Sequence, residues 1–400
     1  MKLNPSFIYL LLAVLTTNLA FSFYTMALTY FVYGATNSVF YSSLVTFISV
    51  GAKVLSGLWI GSITEKIKRK SLLICSISIQ LISMVLLYFL TNIEVFIVVI
   101  YLIVYILSFA NGTFAPIKSK ILKETLEEQD MSKGLSILNS IDQILLFSGW
   151  VLGAWIISLI GNNNLLLISV ILLLIAFMSV LKIKTDNVTE VRANKGTIGK
   201  ISDLLKLLNS KPLIKNLIII ECLEVLIGSV WIGSITLKFV QNHLHQNIEW
   251  WGYINASYYL GTILGAFIVM KFSKIFQNRP AKIIIYFIAI YGFLLIIYSI
   301  NALSIFAIVL VIFIGPILQI KEIVQESYLI NMISHKDLVK LTGLKNSFVQ
   351  MSFLLSILIV GAITEVIKIQ YVYTISGVFS CLIALYFYCF AKKYFKEQKY

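Results

Sequence analysis

Residues 101–117 read YLIVYILSFANGTFAPI, and 200 residues further on residues 301–317 read NALSIFAIVLVIFIGPI. Both are apolar runs that close on a small residue, proline and isoleucine: Ala115-Pro116-Ile117 and Gly315-Pro316-Ile317. A second pair follows in the same order. Asn139-Ser140-x-x-Gln143 is matched by Asn346-Ser347-x-x-Gln350, at an offset of 207, so the connection between the marks is seven residues longer in the second half. Two matched pairs in register read as a duplication. Parallel six-span repeats, related by an axis along the membrane normal, make a two-lobed transporter with its site at the lobe interface.

Reading outward from these marks gives the whole chain. About 20 apolar residues cross the hydrocarbon core, and twelve such runs are present, over residues 7–32, 39–63, 71–91, 95–117, 134–160, 164–181, 213–238, 250–270, 282–300, 302–327, 341–366 and 369–391. The fold class expected is an all-α polytopic membrane protein of twelve transmembrane helices in two pseudo-symmetric six-helix bundles. The bundles are 1–184 and 213–400, and 185–212 is a cytoplasmic linker. In that linker Ile198, Ile201, Leu204, Leu205 and Leu208 recur at helical spacing, which predicts a short helix lying on the inner leaflet. The break from Ser299 to Asn301 is short enough to demand a tight hairpin. Composition agrees: 59% of residues are hydrophobic, 12% are charged and the mean hydropathy is +0.92, whereas soluble domains are about a quarter charged.

The net charge of +14 does not indicate nucleic acid. Of the 32 basic residues only Arg69, Arg192 and Arg279 are arginine, and the lysines sit in short loops between apolar runs, not on a face interleaved with stacking aromatics. With the amino terminus inside, 29 of the 32 fall in inside loops, Lys321 and Lys345 among them, leaving Lys238 and Lys368 outside and Lys53 within a span. The positive-inside rule then places both termini in the cytoplasm of a multi-pass cell-membrane protein. The first apolar run is longer than the roughly 7–15 residues of a cleaved signal, so Met1 to Ser6 reads as a cytoplasmic stub. Cys75, Cys222, Cys381 and Cys389 lie in apolar runs without metal-ligand spacing. His243 and His245 form an isolated H-x-H, weak for metal. No nucleophile-and-base set or phosphate loop appears, so a membrane-embedded enzyme is the disfavoured alternative.

The loop Gly61-Ser-Ile-Thr-Glu65-Lys66-Ile-Lys-Arg69-Lys70 resembles the signature loop of the major facilitator superfamily, with Glu65 for the usual aspartate and Lys66 for the usual arginine. The resemblance extends over the whole chain. It implies a cytoplasmic latch in which Gly61, Glu65, Lys66 and Arg69 gate the inner side; ordinary positive-inside anchoring explains the same charges. The proline and NSxxQ marks look most like the macrolide-efflux-type drug:proton antiporters, a branch similar to some metallophore exporters. What that resemblance implies is export of a drug-like compound or secreted metabolite by alternating access, driven by a proton gradient and without a cofactor. Uptake symport and lysolipid flipping use the same architecture. The antiporter signature of span five is here Gly149-Trp150-Val-Leu-Gly153, with Trp150 where the branch has proline.

Ionisable groups inside spans cost roughly 2.5–3.5 kcal/mol each on insertion scales, and Lys53, Asp142, Glu221 and Glu224 are the clear cases. In span seven Glu221 and Glu224 lie three apart, with Gly228 and Trp231 continuing the stripe at steps of four and three. Two close carboxylates in low dielectric resist carrying two charges, which keeps a proton available for exchange beside a cationic or zwitterionic solute; pairing of one acid with Lys53, to lock the lobes, is the alternative. Asn18, Ser22, Thr25 and Thr29 make a polar stripe on span one that faces either solute or a neighbouring helix. Asp142, on the cytoplasmic side of the middle of span five, and Glu322 and Glu326, on the inner side of span ten, form either an inner gate or proton exit, or ordinary charges that satisfy helix ends and adjacent lysines. The expected partners are a small-molecule solute and the lipid bilayer, with no nucleic acid and no metal, and the chain is expected to act as a monomer.

Overall fold

The computed structural model describes residues 5–63, 69–93, 96–125, 131–183, 208–333 and 335–397. Side chains are described for these residues except at 7, 58–63, 69, 114–125, 131–143, 146, 273–274, 277, 335–336, 338–340 and 395–397. Among the described residues there is no strand. In hydrocarbon every backbone N–H and C=O must find its partner within the segment, and an open sheet edge cannot.

Two compact units divide the chain: Met1–Ala193 with Trp251–Ala256, and Asn194–Trp250 with Ser257–Tyr400. The first contains α1 (Pro5–Thr36), α2 (Val39–Ile63), α3 (Arg69–Leu90), α4 (Ile97–Thr125), α5 (Met131–Ile160) and α6 (Asn162–Lys182). Here α1 packs on α6 and α5, and α4 on α2 and α3. Its core includes Leu10, Val14, Leu73, Ile77, Ala176 and Val180. The chain turns from α5 into α6 through Gly161 at φ +89°, a left-handed backbone that glycine adopts without strain.

The second unit contains α7 (Pro212–Gly228), α8 (Gly233–Asn242), most of α9 (Ile248–Asn278), α10 (Pro280–Ile300), α11 (Ser304–Met332), α12 (His335–Val366) and α13 (Ile369–Glu397). Pro212 and Pro280 stand at the first positions of α7 and α10, where a missing N–H costs no hydrogen bond. Leu213, Leu217 and Ile220 of α7, Ile284 and Ile288 of α10 and Phe387 of α13 share one core. Helices α9 and α11 cross at near backbone contact: a Cβ on Gly315 would sit 2.7 Å from Gly261 Cα, and one on Gly261 2.8 Å from the Ile312 carbonyl. Small residues at such crossings let helix backbones approach in lipid. The expected hairpin is present. Asn301 closes it, its Oδ1 accepting from Leu303 N–H and its Nδ2 donating to the Leu303 carbonyl, both at 2.9 Å.

Among the described residues nine helices are long and apolar enough to cross a membrane, ten when α7 and α8 count as one bent span. Shorter apolar stretches lie at Ile97–Thr113 in α4 and Phe147–Ile160 in α5. That is consistent with the expected twelve spans. Span seven departs from the expected continuous helix. It stops at Gly228, passes through a 3₁₀ turn at Ser229–Trp231 and an extended Ile232, and restarts as α8 at a bend of 45°. The linker helix expected around 198–208 falls outside the described residues except for Leu208.

Candidate functional site

The charged side chains of span seven are not alone. Lys321 Nζ of α11 donates to Glu224 Oε2 of α7 at 2.9 Å, and both side chains are largely buried, 10% and 12% exposed. One turn of α7 earlier, Lys345 Nζ of α12 stands 3.2 Å from Glu221 Oε1 and also bridges Glu326 of α11. Lys345 is 6% exposed, Glu221 21% and Glu326 37%. The network therefore stitches α7 to α11 and α12. Glu322 of α11 is exposed.

Lys321 and Lys345 were expected among the inside-loop charges. The structure places both within long helices, buried and ion-paired. The physical reason is that α11 and α12 continue through both positions, so the two lysines are helical residues whose side chains turn toward the acids of α7 and α11. Glu221 and Glu224 thus take a lysine each from their own unit. Buried charges of this kind persist only when paired and hydrogen-bonded.

The break in span seven comes after Trp231, at the extended Ile232, so the 3₁₀ turn carries Trp231 on directly from Gly228. Gly228 ends α7 with open space where a Cβ would lie. Trp231 sits on the 3₁₀ turn; its Nε1 donates to the Tyr291 hydroxyl at 3.1 Å, and its ring stacks near Tyr258 with centroids 5.9 Å apart. Behind it Tyr298, Phe239 and Tyr373 form a buried aromatic wall. The break needs partners for its carbonyls, and side chains supply them: Ser356 Oγ donates to the Leu226 carbonyl at 2.6 Å and the Tyr373 hydroxyl to that of Val230 at 2.9 Å.

In the first unit, Lys53 Nζ lies 4.4 Å from the centroid of the Phe21 ring, a cation–π arrangement. The span-one stripe packs inward. Thr25 Oγ1 donates to the Phe21 carbonyl at 2.7 Å, Thr29 is buried with its carbonyl accepting from Ser42 Oγ at 2.7 Å, and Ser22 lies under Gly149 of α5. Asn18 is half-buried and engaged. The side chains of Asp142 on α5 and Arg69 on α3 lie outside the described ones, Gly61 is described only as part of α2, and Glu65 and Lys66 lie outside the described residues altogether.

The buried hydroxyl cluster beside this stripe had no signal in spacing: the Tyr24 hydroxyl contacts Ser49 Oγ at 3.3 Å and Ser108 Oγ at 3.2 Å, joining α1, α2 and α4. Among the described residues no group of three or more His, Cys, Asp or Glu is placed to hold a metal ion.

The family model described as the Major Facilitator Superfamily matches residues 10–320. The chain is 31% identical over 389 residues to the uncharacterized MFS-type transporter YfmI of Bacillus subtilis (strain 168), 96% of each chain being covered. It is 24% identical over 346 residues to the uncharacterized MFS-type transporter YjbB of the same organism, covering 86% of this chain and 85% of that one. Among solved structures it resembles the nucleoside transporter NupG with a TM-score of 0.77 at 15% identity, over 97% of this chain and 99% of that one. A bacterial homologue of the iron transporter ferroportin in its inward-facing state gives 0.73 at 10% identity, over 97% and 99%. At these identities the structural likenesses are of fold.

Proposed function

The chain belongs to the major facilitator superfamily, and from that membership we propose that it exports a small organic solute across the cytoplasmic membrane in exchange for protons. The observation that carries this reading is the ion-pair network of α7, α11 and α12. Glu221, Glu224 and Glu326 face Lys321 and Lys345, so three carboxylates meet two ammonium groups and one negative charge is left over. A proton bound to the network and a cationic group on the solute are alternatives for that charge. Mutual exclusion of this kind is the elementary requirement for exchange, since each ligand's binding must lower the other's affinity.

The solute class that suits the surroundings is amphipathic, with a cationic or zwitterionic group, because Trp231 and Tyr258 offer aromatic faces next to open space at Gly228. A span broken beside its charged residues supports the reading, as transporters build solute and ion sites at discontinuous helices. Export, rather than uptake, follows the resemblance of the proline and NSxxQ marks to efflux carriers. The chain would act as a monomer with both termini in the cytoplasm, on the positive-inside asymmetry of its lysines. In this reading the loop of Gly61, Glu65, Lys66 and Arg69 serves as the cytoplasmic latch that the resemblance implies.

Reconstituted vesicles of known orientation, loaded with a pH-reporting dye, test the reading. Adding a transported cationic solute should drive proton movement in the opposite direction. Solute movement without proton movement under every imposed gradient overturns exchange and leaves a uniporter.

A further inference from the structure

Charge asymmetry leaves only Lys238 and Lys368 on the side opposite the loop lysines, and the fold brings these two, 130 residues apart, to one cavity. It has a volume of about 520 Å³ and lies in the second unit between the end of α8, the turn after it, and the α12–α13 turn. Asn242, His243, His245, Thr364, Glu365 and Gln370 complete its polar lining. It shares no residue with the ion-pair network, and the inference does not depend on the exchange reading.

Each polar group has a definite job available. Lys238 Nζ donates to the Thr364 carbonyl at 2.6 Å, which uses one of the three donors of an ammonium. His243 is half-buried against Phe239 and stands with Nε2 2.9 Å from the Asn301 carbonyl. A carbonyl only accepts, so Nε2 carries the hydrogen and His243 serves to hold the wall. His245 is exposed at the cavity with φ at +52°, a left-handed backbone costing about 1–2 kcal/mol for a residue with a side chain. Strain of that sort persists only where the surrounding structure holds the backbone in place. Glu365 is the one carboxylate of the lining and is itself engaged. Two ammonium groups against one carboxylate leave the cavity net positive, with a histidine ring as a further donor from a third segment.

We infer that this cavity binds a tetrahedral oxyanion of the phosphate or sulfate class. Donors arriving from α8, the following turn and the α12–α13 turn suit a tetrahedral group, which presents oxygens in several directions. The same chemistry has two sources, a soluble oxyanion or the phosphate of a lipid headgroup at the membrane surface.

The test uses the full chain in nanodiscs of phosphatidylcholine, with inorganic sulfate as the probe and chloride at matched ionic strength as the reference. Sulfate should raise the thermal unfolding midpoint of the parent. Lys368→Gln and His245→Gln should abolish that rise, Lys368→Arg should keep it, and Lys215→Gln on α7 should leave it unchanged. If the occupant is a lipid headgroup, phosphatidylglycerol discs should raise the midpoint instead, sulfate should add nothing, and the same variants should remove the lipid dependence. Sulfate and phosphatidylglycerol responses equal in the parent, Lys368→Gln and His245→Gln would overturn the inference; should Lys368→Gln fail to fold, His245→Gln carries the comparison.

Discussion

Lys321 of α11 holds Glu224 of α7 in a hydrogen-bonded ion pair of 2.9 Å between two largely buried side chains. Removing one member leaves the other charged in a place with little water, which in buried pairs costs about 3–5 kcal/mol. Lys321→Met and Glu224→Ala should each lower the thermal unfolding midpoint of the detergent-solubilised protein. The double variant Lys321→Met with Glu224→Ala should recover much of the loss, because no uncompensated charge remains. A double variant as unstable as the sum of the singles would mean that the pair does not act as a unit.

Lys345 bridges two acids of unequal burial, and the three residues should not be equivalent. Lys345→Met strands both Glu221 and Glu326 and should be the most destabilising. Glu221→Gln should come next. Glu326 is more than a third exposed, and solvent screening limits its pair to about 0–1 kcal/mol. Unfolding midpoints of the three variants, measured under one set of conditions, check the order.

Two glycines should respond in opposite ways. Gly261→Leu drives a side chain into the Ile312 carbonyl and Gly315, and backbone cannot yield as a flexible side chain can, so folded protein should not be recovered by size-exclusion chromatography. Gly228→Ala meets nothing within 4 Å and should leave the unfolding midpoint unchanged. If that open space belongs to the solute path, Gly228→Ala raises the KM for transport while the amount of folded protein stays constant.

Trp231→Phe keeps an aromatic face toward Tyr258 but removes the donor to the Tyr291 hydroxyl. One neutral hydrogen bond contributes about 0.5–1.5 kcal/mol, so the stability loss should be small. Trp231→Ala should also lose the stacking surface, and solute affinity in a filter-binding or fluorescence titration should fall further than with Trp231→Phe.

Much of this architecture was legible because hydrocarbon imposes a strong constraint. Apolar runs long enough to cross, punctuated by the paired Pro116 and Pro316 marks, define the helices, and the Glu221–Glu224 spacing singled out the two acids of α7 that the structure shows ion-paired. The partners of those acids were misread for a reason of geometry: counting lysines by side of the membrane treats every basic residue near a span end as a loop anchor, while Lys321 and Lys345 lie within α11 and α12 and turn toward the acids. The break after Gly228 carries no proline. Its signal was the pair Gly228 and Gly233 around a β-branched and aromatic stretch, visible in Gly228-Ser-Val-Trp-Ile-Gly233, yet hydropathy alone ran smoothly through it. The Tyr24, Ser49 and Ser108 cluster joins three helices, and no pattern along one helix can announce contacts across three.

The most direct test of the exchange reading compares two transport modes in oriented proteoliposomes for the parent, Glu221→Gln and Glu224→Gln. One mode is solute–solute counterflow without a gradient; the other is transport driven by an imposed pH gradient. If the network couples proton to solute, at least one acid variant retains counterflow and loses the gradient-driven component. Gradient-driven transport at the parent rate in both variants would contradict the account and leave the α7 acids with a purely structural role.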